Sequence, residues 1–115
     1  MPPRSAIPRT PATGIGPLSS QDAQKHLKEQ IARAVEHGET ATELGEPVPD
    51  HGWFVQPTLL TDITPDNPIF QEELFGPTPA IYKFSDADEV IALANDSDFG
   101  LASSVYSVAL IVLAA

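Results

Sequence analysis

The amino-acid sequence predicts an α/β fold in which helices pack on a small β-sheet. Apolar residues recur every four positions between residues 23 and 35, which is the spacing of one buried helix face. Later segments, above all residues 53–63, are rich in the β-branched and aromatic residues that favour strands. The elements follow the order helix, strand, strand, strand, helix, strand, which is typical of a helical layer on a sheet layer.

The first helix is predicted to begin near Ser19 and to stop at Gly38. Ser19 with Asp22 resembles a capping box, and Gly38 suits a left-handed C-cap. Glu29 and Arg33 are spaced for an ion pair on the exposed face. The predicted buried stripe consists of Ala23, Leu27, Ile31, Ala34 and Val35.

Three predicted strands and one turn occupy the middle of the chain. Residues 40–44 can form a short strand, and residues 53–63 read as extended, with Pro57 indicating an edge or a bulge. Residues 64–68 have the composition of a turn. Residues 80–84 are the next strand.

The second predicted helix is capped by Ser85 or Asp86 and ends near Leu93. A last strand is predicted over Leu101–Tyr106. The apolar side of this helix is expected to consist of Val90, Ile91, Leu93 and Ala94.

Composition divides the chain into three parts. Residues 1–17 hold five of the twelve prolines and are expected to form an extended, disordered lead-in. Residues 18–107 carry the helices and strands. Residues 108–115 are an uncharged apolar tail, too short to span a bilayer, so no membrane association is predicted.

Charge and cysteine content exclude several function classes. The formal net charge is −10, which disfavours nucleic acid as a partner, because binding to phosphate groups needs clustered Lys and Arg. The chain contains no cysteine, so it carries no disulfide, no thiolate metal site and no thiol nucleophile. The acidic composition suits a soluble metabolic protein, and the predicted location is the cytoplasm.

Residues 66–77 (DNPIFQEELFGP) are the most informative segment for function. A carboxylate of Glu72 or Glu73 could accept two hydroxyl protons from a sugar diol, and Phe75 could offer a flat apolar surface. Gly76 could allow a close approach to the backbone. The alternative from the residues alone is a solvated glutamate pair beside a phenylalanine of the core.

Four blocks in this sequence resemble the NAD(P)-dependent aldehyde dehydrogenase family, in the family's order and spacing. The segment EELFGP resembles the family's signature, and the first and last blocks lean towards its succinate-semialdehyde dehydrogenase-like and broad aldehyde branches. The resemblance implies that residues 18–107 are a partial catalytic domain, from its C-terminal part. The blocks are residues 16–20, 52–63, 66–77 and 88–107.

The resemblance implies a cofactor contact at two positions and no catalytic residue. Glu73 would hold the hydroxyls of the nicotinamide ribose of NAD or NADP, and Phe75 would pack near the nicotinamide. Gly76 and Pro77 would shape the turn. The family's substrate is a small aldehyde, and the family is homo-oligomeric, but the chain is expected to lack the assembly segment because residues 108–115 depart from the family pattern.

The family's reaction needs a cysteine thiolate that attacks the aldehyde, and this chain has none. The family's nucleotide-binding domain is also not recognisable, because the glycines near residues 14–17 do not form a dinucleotide fingerprint. The first hypothesis is therefore a fragment of an aldehyde dehydrogenase that is inactive alone. The second is a non-catalytic module that binds a nucleotide or pairs with another subunit.

Other candidate residues are given structural roles. Glu43 in TELGEP is interpreted as a strand or turn residue, although the segment superficially resembles the family's general-base motif. His37 is expected at the C-terminal end of the first helix, and Trp53 in strand packing. No metal site is predicted, because neither the histidines nor the aspartates near residues 86–98 have ligand spacing.

Overall fold

The structure is a computed structural model that describes residues 14–100 and 102–107. The chain divides into two compact units, one reaching to Tyr82 and the other beginning at Lys83. Helices and a small sheet confirm the α/β class. The elements are helix α1 (Gln21–Glu36), strand β1 (Thr40–Glu43), strand β2 (Thr58–Thr61), a 3₁₀ helix (Pro68–Gln71) and, in the second unit, helix α2 (Ala87–Asn95).

Helix α1 is capped at both ends by local side chains and backbone geometry. The Ser20 hydroxyl accepts a hydrogen bond from the Ala23 N–H at 3.1 Å, so Ser20 is the N-cap and the prediction of Ser19 is wrong by one residue. His37 is the C-cap, and Gly38 follows with φ of +103°. The left-handed glycine after the helix is therefore confirmed.

The buried face of α1 is rotated from the predicted stripe. Leu27, Gln30 and Ala34 are buried, whereas Val35 is 46% exposed. A spacing of three and then four residues follows the helical period of 3.6 more closely than a strict four-residue repeat does. The prediction for Val35 is therefore wrong, and a polar glutamine lies at the centre of the buried face.

The ion pairs of α1 also differ from the prediction. Lys25 Nζ lies 3.8 Å from Glu29 Oε1 in an ion pair on the exposed face. Arg33 reaches away from its own helix to Glu72. The predicted pair of Glu29 with Arg33 is replaced by these two contacts.

Strands β1 and β2 form an antiparallel pair in which Thr40 faces Thr61 and Glu43 faces Thr58. The predicted strand over residues 40–44 is confirmed. Within residues 53–63 only the four residues of β2 form regular strand. The centre of the first unit consists of Ala34, Leu60 and Ile69, with Ile31, Ile63 and Leu74 packed against them.

Residues 77–81 run alongside β2 in parallel, but they form only one bridge, between Leu60 and Ala80. The Leu60 N–H donates to the Pro79 carbonyl at 3.0 Å, and the Ile81 N–H donates to the Leu60 carbonyl at 2.9 Å. Pro79 has no N–H with which to continue the ladder. The strand predicted over residues 80–84 is therefore reduced to a bridge.

The predicted turn at residues 64–68 is confirmed. The Asn67 N–H donates to the Thr64 carbonyl at 3.0 Å, and the Asn67 side-chain oxygen accepts from the Ile69 N–H at 3.1 Å. The Asn67 amide nitrogen donates to the Ala34 carbonyl at 3.2 Å. One buried asparagine thus caps the 3₁₀ helix and joins it to the end of α1.

In the second unit, Asp86 caps α2 by accepting from the Glu89 N–H at 2.9 Å, as predicted. The expected apolar side is only partly covered, because no residue of α2 is buried and Ile91 is 50% exposed. Residues 102–107 form no strand, and Leu101 lies outside the described residues. Strand composition does not by itself provide the neighbouring strand that a sheet requires.

Part of the predicted organisation falls on residues that the structure does not describe. The lead-in is described only from residue 14, and residues 14–17 contain no helix or strand. The apolar tail at residues 108–115 lies outside the described ranges. Among the residues described, no helix combines the length and apolar character needed to cross a membrane.

Candidate functional site

The turn that follows the 3₁₀ helix presents the two predicted cofactor residues to solvent. Glu72 and Leu74 are half-buried, whereas Glu73 and Phe75 are exposed, and Phe75 is 72% exposed. The backbone is extended at Glu72, with φ of −109° and ψ of 144°, which suits alternation of the side chains. Phe75 is thus not a residue of the core. The alternative interpretation of this segment required a core phenylalanine and is wrong on this point.

Glu72 anchors the turn to α1. Its Oε2 accepts from Arg33 Nη2 at 2.6 Å and from the buried Gln30 Nε2 at 2.9 Å. The hydrogen bond from Gln30, followed by the bond and charge of Arg33, lowers the pKa of Glu72 from its ordinary value, against the effect of burial. The carboxylate is therefore held in its charged form as a structural partner of the helix.

The same glutamine also holds the residue that carries the predicted cofactor contact. Gln30 Nε2 lies 3.3 Å from the Glu73 carbonyl oxygen, which accepts its hydrogen bond. Because Gln30 is only 2% exposed, its amide has little freedom to move. The backbone of Glu73 is fixed from inside while its carboxylate faces outwards. The partly exposed ion pair of Arg33 and Glu72 contributes at most about 1 kcal/mol to the free energy of unfolding.

Gly76 marks a close approach between the turn and α1. A Cβ at this position would overlap with Leu27 Cδ2 and would lie 3.4 Å from Leu18 Cδ2. The Gly76 N–H donates to the Leu74 carbonyl at 3.0 Å, and the Thr78 N–H donates to the Gly76 carbonyl at 2.8 Å. The neighbour that favours glycine here is the Leu27 side chain of the helix.

The supporting role of Gln30, Arg33 and Glu72 was not predicted: Glu72 was a candidate for the sugar contact, and Arg33 was expected to pair with Glu29. Gln30 is three residues after Leu27 and four before Ala34, so a polar residue occupies the buried face. That interruption is a signal for a buried hydrogen-bond partner. The sequence alone does not show that the partner lies more than 40 residues away.

The other predicted residues have the following positions. Glu43 is an exposed residue of β1, as expected for a strand residue. His37 Nδ1 donates to the Arg33 carbonyl at 2.8 Å, which confirms its position at the C-terminal end of the helix. Trp53 is 44% exposed and outside any strand, so that prediction is wrong. In the described part of the chain, no three His, Asp or Glu residues are grouped so that they could hold a metal.

The fold and the site together define an α/β chain with a surface turn that is supported by a helix. The model of the aldehyde dehydrogenase family matches residues 4–111. The chain belongs to the aldehyde dehydrogenase family.

Curated relatives match most of this chain but only a small part of their own length. It is 46% identical over 100 residues to succinate-semialdehyde dehydrogenase [NADP(+)] of Deinococcus radiodurans, covering 87% of this chain and 21% of that protein. It is 41% identical over 109 residues to betaine aldehyde dehydrogenase of Brucella anthropi, covering 90% and 22%. The chain thus spans about a fifth of the length of these relatives.

Solved structures of the family superpose on this fold. One is succinic semialdehyde dehydrogenase from Streptococcus pyogenes in complex with NADP⁺, with a TM-score of 0.74 and 43% identity, over 80% of this chain and 20% of that one. Another is 3,6-anhydro-L-galactose dehydrogenase, with a TM-score of 0.80 and 37% identity, over 91% and 23%. The partial domain therefore keeps the backbone arrangement of the family.

Proposed function

We propose that this chain is a piece of an NAD(P)-dependent aldehyde dehydrogenase of the succinate-semialdehyde dehydrogenase-like branch, and that its 115 residues alone do not catalyse. The observation that carries the proposal is the exposure of Glu73 and Phe75 on one turn of a chain without cysteine. The names of the relatives support succinate semialdehyde as the class of substrate. The acidic composition favours the cytoplasm as the location.

Glu73 and Phe75 fit the nicotinamide riboside part of the cofactor. The Glu73 carboxylate can accept hydrogen bonds from two ribose hydroxyls, and charge-assisted bonds of this kind are stronger than neutral ones. The exposed ring of Phe75 can pack against the nicotinamide. The cofactor, when bound, supplies the acceptor for a hydride.

The covalent part of the reaction has no residue to carry it in this chain. Oxidation of an aldehyde in this family's mechanism needs a thiolate that adds to the carbonyl, so that the resulting carbon can release a hydride. The chain has no thiol at any position. We therefore expect no reduced cofactor when the isolated chain is assayed with succinate semialdehyde and NADP⁺.

The second candidate is a non-catalytic module that binds a nucleotide or pairs with another subunit. The favouring observation is that α1 already holds the Glu73 backbone through Gln30, so this contact needs little ordering on binding. Such a module would bind NAD or NADP without turnover.

Titration of NAD⁺ and NADP⁺ into the chain separates the two candidates. We expect no saturation up to millimolar cofactor, because one carboxylate and one ring supply too little free energy to exceed the cost of association. Isothermal titration calorimetry, or the protection of amides from exchange, would measure binding of the cofactor to the chain. Saturable binding that Glu73→Ala weakens at least tenfold, while Glu43→Ala leaves it unchanged, would instead establish the module.

A further inference from the structure

Glu39 is a buried acid at the junction between α1 and β1. It is 5% exposed, and both of its carboxyl oxygens are buried with no hydrogen-bond partner in the structure. Its N–H donates to the Ala34 carbonyl at 3.2 Å, which also accepts from the His37 N–H and from the Asn67 side chain. The backbone that carries Glu39 is therefore tied to the end of the helix.

An ionised carboxylate in this position is costly, because burial removes water and no donor replaces it. Two titratable groups interact with it electrostatically: His37 at the helix cap acts on Glu39, and Glu39 acts on Tyr82 in the segment beyond the bridge. His37 also acts on Asp66: the hydrogen bonds of that carboxyl lower its pKa most, and the charge of His37 is the smallest cause. Burial raises the pKa of Glu39, whereas the charge of His37 lowers it by a smaller amount.

Tyr82 is the second titratable group that interacts with Glu39. Burial, and then the charge of Glu39, raise the pKa of the Tyr82 phenol. The Tyr82 ring packs edge-on against Phe70, with ring centroids 5.6 Å apart. The charge of an ionised Glu39 thus disfavours ionisation of the neighbouring phenol.

We propose that Glu39 is a buried proton-binding site that makes the junction of α1 and β1 a pH-sensitive element of the fold. With the proton bound, the side chain stays inside. As the pH rises, ionisation favours a conformation in which the carboxylate reaches water, and this loosens the hydrogen bond from the Glu39 N–H to Ala34. Glu39 takes no part in the proposed cofactor contact.

The sign of the pH dependence follows from proton linkage. The pKa of Glu39 in the folded chain is above the ordinary value of 4.5, so folding takes up a proton. Its stabilising contribution is complete below 4.5 and is lost as the pH rises through the folded-state value. The contribution of Glu39 to the free energy of unfolding therefore falls as the pH rises. The contribution of Glu72, whose pKa is lowered, falls as the pH decreases.

The test combines NMR titration with chemical unfolding of the full chain at a series of pH values. We expect the Glu39 carboxyl carbon to titrate with a midpoint above 4.5. We expect Glu39→Gln to lose the component of stability that falls with rising pH, while Glu43→Gln, an exposed glutamate of β1, keeps it. Amide exchange at Glu39 should accelerate with pH more than base catalysis alone predicts.

Two outcomes would overturn the proposal. One is a Glu39 midpoint at or below 4.5 in the folded chain. The other is an unchanged pH dependence of stability in Glu39→Gln. Should Glu39→Gln unfold the chain, the NMR titration and amide exchange of the unsubstituted chain still decide the matter.

Discussion

Leu60→Ala is expected to lower the free energy of unfolding by about 2–5 kcal/mol, because it leaves a cavity at the centre of the first unit. Leu60 is 0% exposed and packs with Ala34 and Ile69. A small domain has a total stability of about 5–15 kcal/mol, so this loss is a large fraction of it. Urea unfolding followed by circular dichroism measures the change.

Leu59→Ala is the matched control for this substitution. Leu59 is the preceding residue of β2, only half-buried, so its truncation should cost distinctly less. Equal losses at the two positions would contradict the assignment of Leu60 to the core.

Gly76→Ala is the second substitution with a large expected effect. A methyl group there overlaps with Leu27, which is itself only 1% exposed and so has little room to turn away. We expect a loss of about 1–3 kcal/mol and a displacement of the turn that carries Glu73 and Phe75. Urea unfolding and NMR chemical shifts of the turn measure the two effects.

Two controls isolate this steric mechanism. Gly14→Ala should be nearly neutral, because no heavy atom lies within 4 Å of a Cβ there. In a chain that already carries Leu27→Ala, Gly76→Ala should cost much less, since the overlapping atom is gone. An unchanged cost of Gly76→Ala in the Leu27→Ala chain would show that the contact is not the cause.

The parts of the fold with local causes were predictable from the sequence. The periodicity and the glycine after α1 predict the helix, and Asp86 predicts the start of α2. Residues 80–84 were predicted less well, because their pairing is limited by Pro79 next to β2. Strand formation depends on a partner, and composition carries little information about the partner.

The exposed residues of the candidate site stay a prediction from the sequence, whereas the contacts that support them could not be predicted from it. Glu73 and Phe75 follow from the resemblance of one short block to a family signature. The contacts of Gln30 with Glu72 join residues 42 positions apart in the sequence, and no local pattern encodes such a contact. The closeness of Gly76 to Leu27 likewise depends on how the turn packs on the helix.

The most direct test of the account is an oxidation assay of the purified 115-residue chain with succinate semialdehyde, betaine aldehyde and both cofactors. The full-length enzyme from Deinococcus radiodurans is the positive control, and Glu73→Ala identifies any signal intrinsic to this chain. Because the chain has no cysteine, we predict no reduced cofactor above the blank. A saturable rate that survives repeated purification and is lost in Glu73→Ala would contradict the account.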